Sequence, residues 1–362
     1  MLRFLLLALP PLLAAAAGAL RPAGRTVWLL WWDGWAHAPW LAQQVAASWE
    51  AHNPGWAVQR LDARDVTRLL HVPYLEDLRY AQERTARGWR KPTASWLRAA
   101  QSDVVRVHLL SRFGGVWADA TLLCTAPLDT WVHEAVAPAG FWAYRAGHAN
   151  GESHACSWFL VATRRARLMQ LWRDATDAYW HSRLSSPRTP SLGYFWLDEL
   201  FLQLVGQPGS DAAREWAAVP VLDCDSADGP HMLGYTSHLP MTGPQRQALR
   251  AHPPRALKLS RHKLRDRQPG LWGWLGKRTP VAQSSAAEAI ALSASAALQA
   301  RMHNGSHAFA SSQYGLPALL LRDCATAMLA LHKVAAVRDA CNFCASVPRG
   351  VRCVPVPPWT EV

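Results

Sequence analysis

Residues 102–121 read SDVVRVHLLSRFGGVWADAT, a string that is helical at one end, extended at the other and split by two glycines. Asp103 and Arg106 are three apart and so share one helix face, while Val104, Val105, Val107, Leu109 and Leu110 supply an apolar remainder. Gly114-Gly115 predicts a left-handed cap that ends the helix. Val116 to Leu122 alternates with period two, which predicts a strand with Trp117, Asp119 and Thr121 on one face. An ion pair, a carboxylate and a hydroxyl thus gather in one locality, where burying them without a ligand is costly. On these residues alone, a structural Asp–Arg pair and a ligand site stay balanced.

Upstream, Thr26 to Trp31 is an apolar run of strand length ended by Trp32-Asp33-Gly34. Trp40 to His52 has helical spacing in Leu41, Val45, Ala46 and Trp49, and Asn53-Pro54-Gly55 stops it. Trp56 to Leu61 reads as a second strand, followed by a short helix through Leu70 that Asp62 and Asp65 can cap. Strand, helix, strand in this order builds a parallel sheet whose ligands bind beyond the carboxyl ends of the strands, where Trp31 to Gly34 lies. Arg84 to Lys91 reads as a basic loop.

Downstream, Phe141 to Tyr144 and Ser157 to Ala162 predict two more strands, Arg167 to Trp180 an amphipathic helix, and Tyr194 to Leu204 a helix carrying Asp198 and Glu199. Ala248 to Arg278 is strongly basic, with Lys258, Arg261, His262, Lys263 and Arg265 at its middle. Such a run is either a solvated face or a phosphate contact. Ser284 to Leu298 is an Ala- and Ser-rich helix. There is no internal repeat.

The chain has 362 residues, enough for one catalytic-size domain and an appendage. Its net charge of +12 favours acidic partners, and its 20 tryptophans suit stacking on bases or sugars, although most must be core. A basic start at Arg3, an apolar run from Phe4 to Leu13 and small residues from Ala14 to Ala19 predict an export signal over residues 1–20. Cleavage is the favoured reading and a single uncleaved membrane anchor the other. Both place the body of the protein in a secretory, Golgi-like lumen or outside the cell, away from nucleic acid. Cys324, Cys341, Cys344 and Cys353 crowd at the C-terminal end, as in a disulfide framework. Zinc is the lesser reading there, because Cys341-Asn342-Phe343-Cys344 has no matching second pair.

No nucleophile elbow, HExxH zinc pair, P-loop or GxGxxG after a strand is present, so proteolysis, lipid hydrolysis and kinase chemistry lack their parts. What remains is Asp119 at a strand end beside Asp103 and Arg106. A carboxylate there can hold a hard divalent cation that bridges diphosphate oxygens, while the arginine binds the same phosphates. Such a set would activate the leaving group of a nucleotide-sugar.

Three segments carry a resemblance: TVWLLWWDGWAHAPWLAQQVAASWEAHNPGWAVQRLD from Thr26, SDVVRVHLLSRFGGVWADATLLCTAPLD from Ser102, and YFWLDELF from Tyr194. They resemble the capsular polysaccharide synthesis protein family, related to glycosyltransferase family 32 and more distantly to the glycosylating toxins. The likeness runs from about Arg25 to Lys263. It implies an α/β GT-A fold, a Rossmann-like mostly parallel sheet flanked by helices, over residues 25–265. A basic linker and helical Cys-rich region follows over 266–362. It further implies a UDP- or GDP-linked sugar donor, a glycan or glycoconjugate acceptor, a divalent cation (Mn2+, or Mg2+) and retention of configuration.

By the same resemblance, Asp103 would bind donor sugar hydroxyls, Arg106 the sugar or diphosphate, and Asp119 the ribose and the cation's shell as the first acid of a DxD motif. Thr121 stands at the second acid's place, so Asp119 and Thr121 are the implied metal pair, in a D-A-T form. Trp31 falls near the aromatic that stacks on the base, and Lys258 and Lys263, with His262, match a basic element closing over the diphosphate. Asp198 is assigned no role. The rival from another class is a non-catalytic binder of acidic glycans on a degenerate transferase scaffold.

Overall fold

Every residue of strand β1 (Thr26–Leu30) is buried, so it sits inside a sheet covered on both faces. In the computed structural model the described residues run from 24 to 304, apart from 82, 86–87, 91–92, 148–152, 187–190, 227–228, 234–238, 261–263, 266–278 and 281–284. Helix α1 (Trp40–His52) crosses from β1 to the parallel strand β2 (Ala57–Leu61). Helix α2 (Ala63–Leu69) then starts with a capping box in which Asp62 accepts from the Asp65 N–H and Asp65 from the Asp62 N–H. The basic segment near Arg84 forms a short antiparallel pair, β3 (Glu83–Thr85) with β4 (Gly88–Arg90), where the sequence predicted a loop.

Helix α3 (Ala94–Phe113) is capped by the Thr93 hydroxyl and delivers the chain to β5 (Gly115–Ala118), which lies parallel to β1. The two glycines between them are required. Gly114 has φ 68° with ψ −160°, an extended mirror region open to glycine rather than the left-handed helical cap expected from the sequence. Gly115 has φ 96°, and a Cβ there would stand 2.5 Å from the Thr26 carbonyl oxygen of β1. The expected strand from Val116 to Leu122 also stops early. The Leu122 N–H closes a turn on the Asp119 carbonyl (2.8 Å), and a separate strand, β6 (Leu122–Cys124), follows.

After α4 (Val132–Val136), the strands β7 (Phe141–Gly147) and β8 (Ser153–Ala162) complete the sheet in the order β2-β1-β5-β8-β7. The β2-β1-β5 part is parallel, and β5-β8-β7 is antiparallel. Helices α5 (Arg167–Ser185), α6 (Trp196–Val205), α7 (Asp211–Ala218) and α8 (Gly243–Ala251) follow. Strand β9 (Ala256–Lys258) returns to pair with β6, and α9 (Ser285–Asn304) lies against α1, with the Ser293 hydroxyl 3.0 Å from His52 Nε2 and donating to the Cys124 carbonyl at 2.6 Å.

Trp28, Trp49, Trp117, Trp142, Trp172, Trp180 and Trp196 are all buried, so much of the tryptophan excess is core. Two expectations are corrected. Among the described residues no helix is long and apolar enough to cross a membrane, so the membrane expectation finds no support there. Among the described residues Cys124, Cys156 and Cys224 are free and form no disulfide, against the expectation of a disulfide-bonded chain. Cys124 instead donates to the Ala126 carbonyl (3.3 Å) within the core. Residues 1–20, as well as Cys324, Cys341, Cys344 and Cys353, lie outside the described residues.

Candidate functional site

The carboxyl ends of β1 and β5 lie side by side, since Trp28 pairs with Trp117. Asp119 is the first residue beyond β5, and its N–H is tied to the Trp158 carbonyl of β8 (3.0 Å). Its side chain is a junction. Oδ1 accepts from Arg106 Nη2 (3.0 Å) and from the Trp117 indole (3.0 Å), and Oδ2 accepts from Lys258 Nζ (2.7 Å). Arg106 reaches on to Asp103 Oδ1 through Nη1 (2.7 Å) and lies 5.3 Å over the Trp117 ring. Lys258 stands opposite Leu122 in the β6–β9 pair and lies 5.4 Å from the Trp158 ring centre. Four charged groups from a helix, a strand end and a late strand therefore form one chain, Asp103–Arg106–Asp119–Lys258.

The Arg106 side chain is only 8% exposed, and its charge persists because Asp103 and Asp119 outweigh the burial that would lower its proton affinity. Burial pushes the Asp103 carboxyl up to about 7, against the pull of Arg106 and with help from Asp198 and Asp119. Burial also pulls Asp119 upward, but Lys258 and then Arg106 overcome it and hold that carboxyl below its ordinary value. Near neutrality the cluster thus presents two cations against one firmly ionised carboxylate, a balance suited to an anionic ligand. One buried donor points the same way: Arg106 Nε has no hydrogen-bond partner among the described residues.

Of the residues singled out in the sequence, Asp103, Arg106, Asp119 and Lys258 come together. Trp31 is half-buried just past β1, its N–H bonded to the Leu61 carbonyl (3.0 Å). Its neighbour Trp32 donates to the Ser102 hydroxyl (2.9 Å), so the turn packs on the helix that carries Asp103. Thr121 belongs to the turn after β5, and its carbonyl accepts from the Leu259 N–H (2.9 Å). Lys263 and His262 lie outside the described residues.

Trp117 and Trp158, which clamp Asp119, and Asp198, whose carboxyl burial raises chiefly, were not singled out as site residues from sequence. For Asp198 a signal existed: an acid in the first turn of an otherwise apolar helix, Trp196–Val205.

Asp119 with Thr121 does not fit a divalent cation as arranged. One carboxylate is available, both its oxygens are engaged by cationic groups or an indole N–H, and such an ion seeks six or more oxygen ligands. Among the described residues the grouping with metal-ligand character is Cys224, Asp225 and His231, behind Trp158, whose ring lies 5.2 Å from that of His231. There the Cys224 thiol is held down at about 7, chiefly by its hydrogen bond with Cys156.

The family profile described as "Capsular polysaccharide synthesis protein" matches residues 19–249. Glycosyltransferase afumC of Aspergillus fumigatus is 25% identical over 171 residues, 44% of this chain and 42% of its own length, so the chain spans less than half of that relative. Among solved structures, the PaToxG glycosyltransferase is 14% identical with a TM-score of 0.35, covering 54% of this chain and 74% of its own. The catalytic domain of alpha-toxin from Clostridium novyi is 11% identical with a TM-score of 0.29, covering 54% of this chain and 67% of its own. With the profile spanning well over half of its length, the chain belongs to the capsular polysaccharide synthesis protein family.

Proposed function

We propose that this chain is a glycosyltransferase of GT-A type, with its catalytic domain over residues 25–265, that moves a sugar from a nucleotide-sugar donor to a glycan or glycoconjugate acceptor. The observation that carries the reading is the Asp103–Arg106–Asp119–Lys258 chain at the carboxyl edge of β1 and β5. Family membership and the named glycosyltransferase relative support it.

In this reading Trp31 stacks on the base and Asp103 accepts from sugar hydroxyls. Arg106 and Lys258 meet the diphosphate, and Asp119 keeps the two cations in place until a donor arrives. As the C1–O bond to the diphosphate breaks, negative charge grows on the leaving oxygens, and the two cations stabilise it. The acceptor oxygen bonds to C1 on the same face, and its proton passes to the departing diphosphate, giving retention without a protein nucleophile. Positive charge at the leaving group comes here from the protein's own side chains, and no step runs through an ion at Asp119. The export signal read in residues 1–20 would place the reaction in a secretory lumen or outside the cell.

Nucleotide release from a panel of UDP- and GDP-sugars, run with manganese and with a chelator, tests the proposal. Turnover with one donor is expected in both conditions, with Asp119→Ala lowering it at least about 100-fold. Full activity in Asp119→Ala would sink the assignment, and strict dependence on added manganese would return the charge-neutralising role to a cation.

A further inference from the structure

The turn from Cys224 to His231 folds back on itself at the edge of β7. The Cys224 N–H bonds the Arg145 carbonyl of β7 (2.9 Å), and the His231 N–H bonds the Cys224 carbonyl (3.1 Å). The Asp225 N–H donates to the Asp223 carboxylate (2.9 Å), which aims the Asp225 side chain towards His231. As a result His231 Nδ1 lies 2.7 Å from Asp225 Oδ1, and one ligand atom from each of Cys224, Asp225 and His231 falls within 4.8 Å of the other two. Cys156 of β8, 3% exposed, sets a second sulfur in hydrogen-bond contact with Cys224.

We propose that Cys224, Asp225 and His231 hold a zinc ion, with solvent at the fourth position and Cys156 as the sulfur that hydrogen-bonds to Cys224. A thiolate, an imidazole and a carboxylate in one small volume, with a second thiol in contact, form the mixed S, N and O set that suits tetrahedral zinc and not the hard cations of an all-oxygen site. An ordinary His–Asp surface pair does not account for a buried thiol within 4.8 Å of both, with a second buried sulfur against it. Asp225 is 61% exposed, which leaves an open side for the ion to enter. Zinc would bind the Cys224 thiolate, and the proton lost from that sulfur passes to solvent.

The ion would act through position rather than chemistry. The His231 ring packs on Trp158, whose carbonyl holds the Asp119 N–H, and the neighbouring Pro230 carbonyl accepts the Lys258 N–H (2.9 Å). Fixing the 224–231 turn therefore fixes two of the supports on which the Asp119–Lys258 pair stands.

The test uses the reduced full chain, stripped of metal and titrated with cobalt(II), followed by zinc competition. One equivalent with a thiolate-to-cobalt charge-transfer band is expected, displaced by zinc. Cys224→Ser and His231→Asn should each weaken binding at least roughly 100-fold, beyond the loss of an outer partner. Asp119→Ala and the pair Cys341→Ser with Cys344→Ser should keep the band. A band that survives in folded Cys224→Ser and His231→Asn, or vanishes in the Cys341/Cys344 variant, places the ion elsewhere and overturns the proposal. So does cobalt binding without a thiolate band. Because the readout is metal binding, the result is independent of whether sugar transfer is found.

Discussion

Asp103→Asn isolates one ionisation in the buried cluster, since asparagine keeps the acceptor for Arg106 Nη1 and removes the titrating proton. The Asp103 carboxyl rises from 3.8 to about 7 in the folded protein. At about 1.4 kcal/mol per pH unit, that rise is a cost of about 4 kcal/mol for the ionised native state. The sign runs against the usual carboxylate case. Between about pH 4 and pH 7 the native state holds a proton that the unfolded chain has lost, so stability falls as pH rises, and above pH 7 the full cost remains. The stability of Asp103→Asn relative to the parent should therefore climb by about 1.4 kcal/mol per pH unit, gaining about 3 kcal/mol from pH 5 to pH 7 and then levelling. Matched urea titrations at pH 5, 6, 7 and 8, followed by tryptophan fluorescence, read this difference directly. Parallel pH profiles for the two proteins would show that Asp103 is an ordinary ionised partner of Arg106 and refute the reasoning.

Two other changes probe the remaining supports. Lys258→Met should leave the far-ultraviolet circular dichroism of the parent and cut kcat for nucleotide release roughly 100- to 1,000-fold, as expected for a lost charge-stabilising donor. Gly115→Ala forces a Cβ to 2.5 Å from the Thr26 carbonyl oxygen at φ 96°. It should cost about 3 kcal/mol or more and lower the melting temperature by roughly 10 °C, because the β1–β5 edge that sets the site cannot spread without breaking its ladder.

Local chemistry made the β-α-β start legible. Helix α1 spans the predicted Trp40 to His52, and Asp62 and Asp65 build the predicted cap, because spacing and capping act within one or two turns. The end of β5 was misread because alternation alone cannot show that the chain turns. Trp117 and Asp119 do meet through the indole N–H, but the Asp119–Leu122 turn ends the alternation before Thr121. The Lys258 to Asp119 bond joins residues 139 apart, and the β6–β9 pairing that creates it leaves no periodic trace. The basic run around Lys258 left a solvated face and a phosphate contact open, and the resemblance to a family pointed to the second. Nothing in the sequence joins Cys156 to Cys224, because β8 and the turn after α7 meet only once the sheet is assembled.

The same geometry bears on the D-A-T sequence at 119–121. A second carboxylate at position 121 would make sense where two acids share a divalent ion. Here the Lys258 ammonium takes Oδ2 of Asp119 at 2.7 Å, and Arg106 takes Oδ1, so the charge that an ion would bring is already present as side chains. A neutral residue at 121 then costs the site nothing, whereas an acid two residues from Asp119 would add negative charge near the two cations and repel the donor diphosphate. Thr121→Asp should therefore weaken nucleotide binding in the absence of metal, and isothermal titration of the chelated protein with UDP and GDP measures it. An unchanged or tighter Kd in that variant would show that the cations are not where the diphosphate binds.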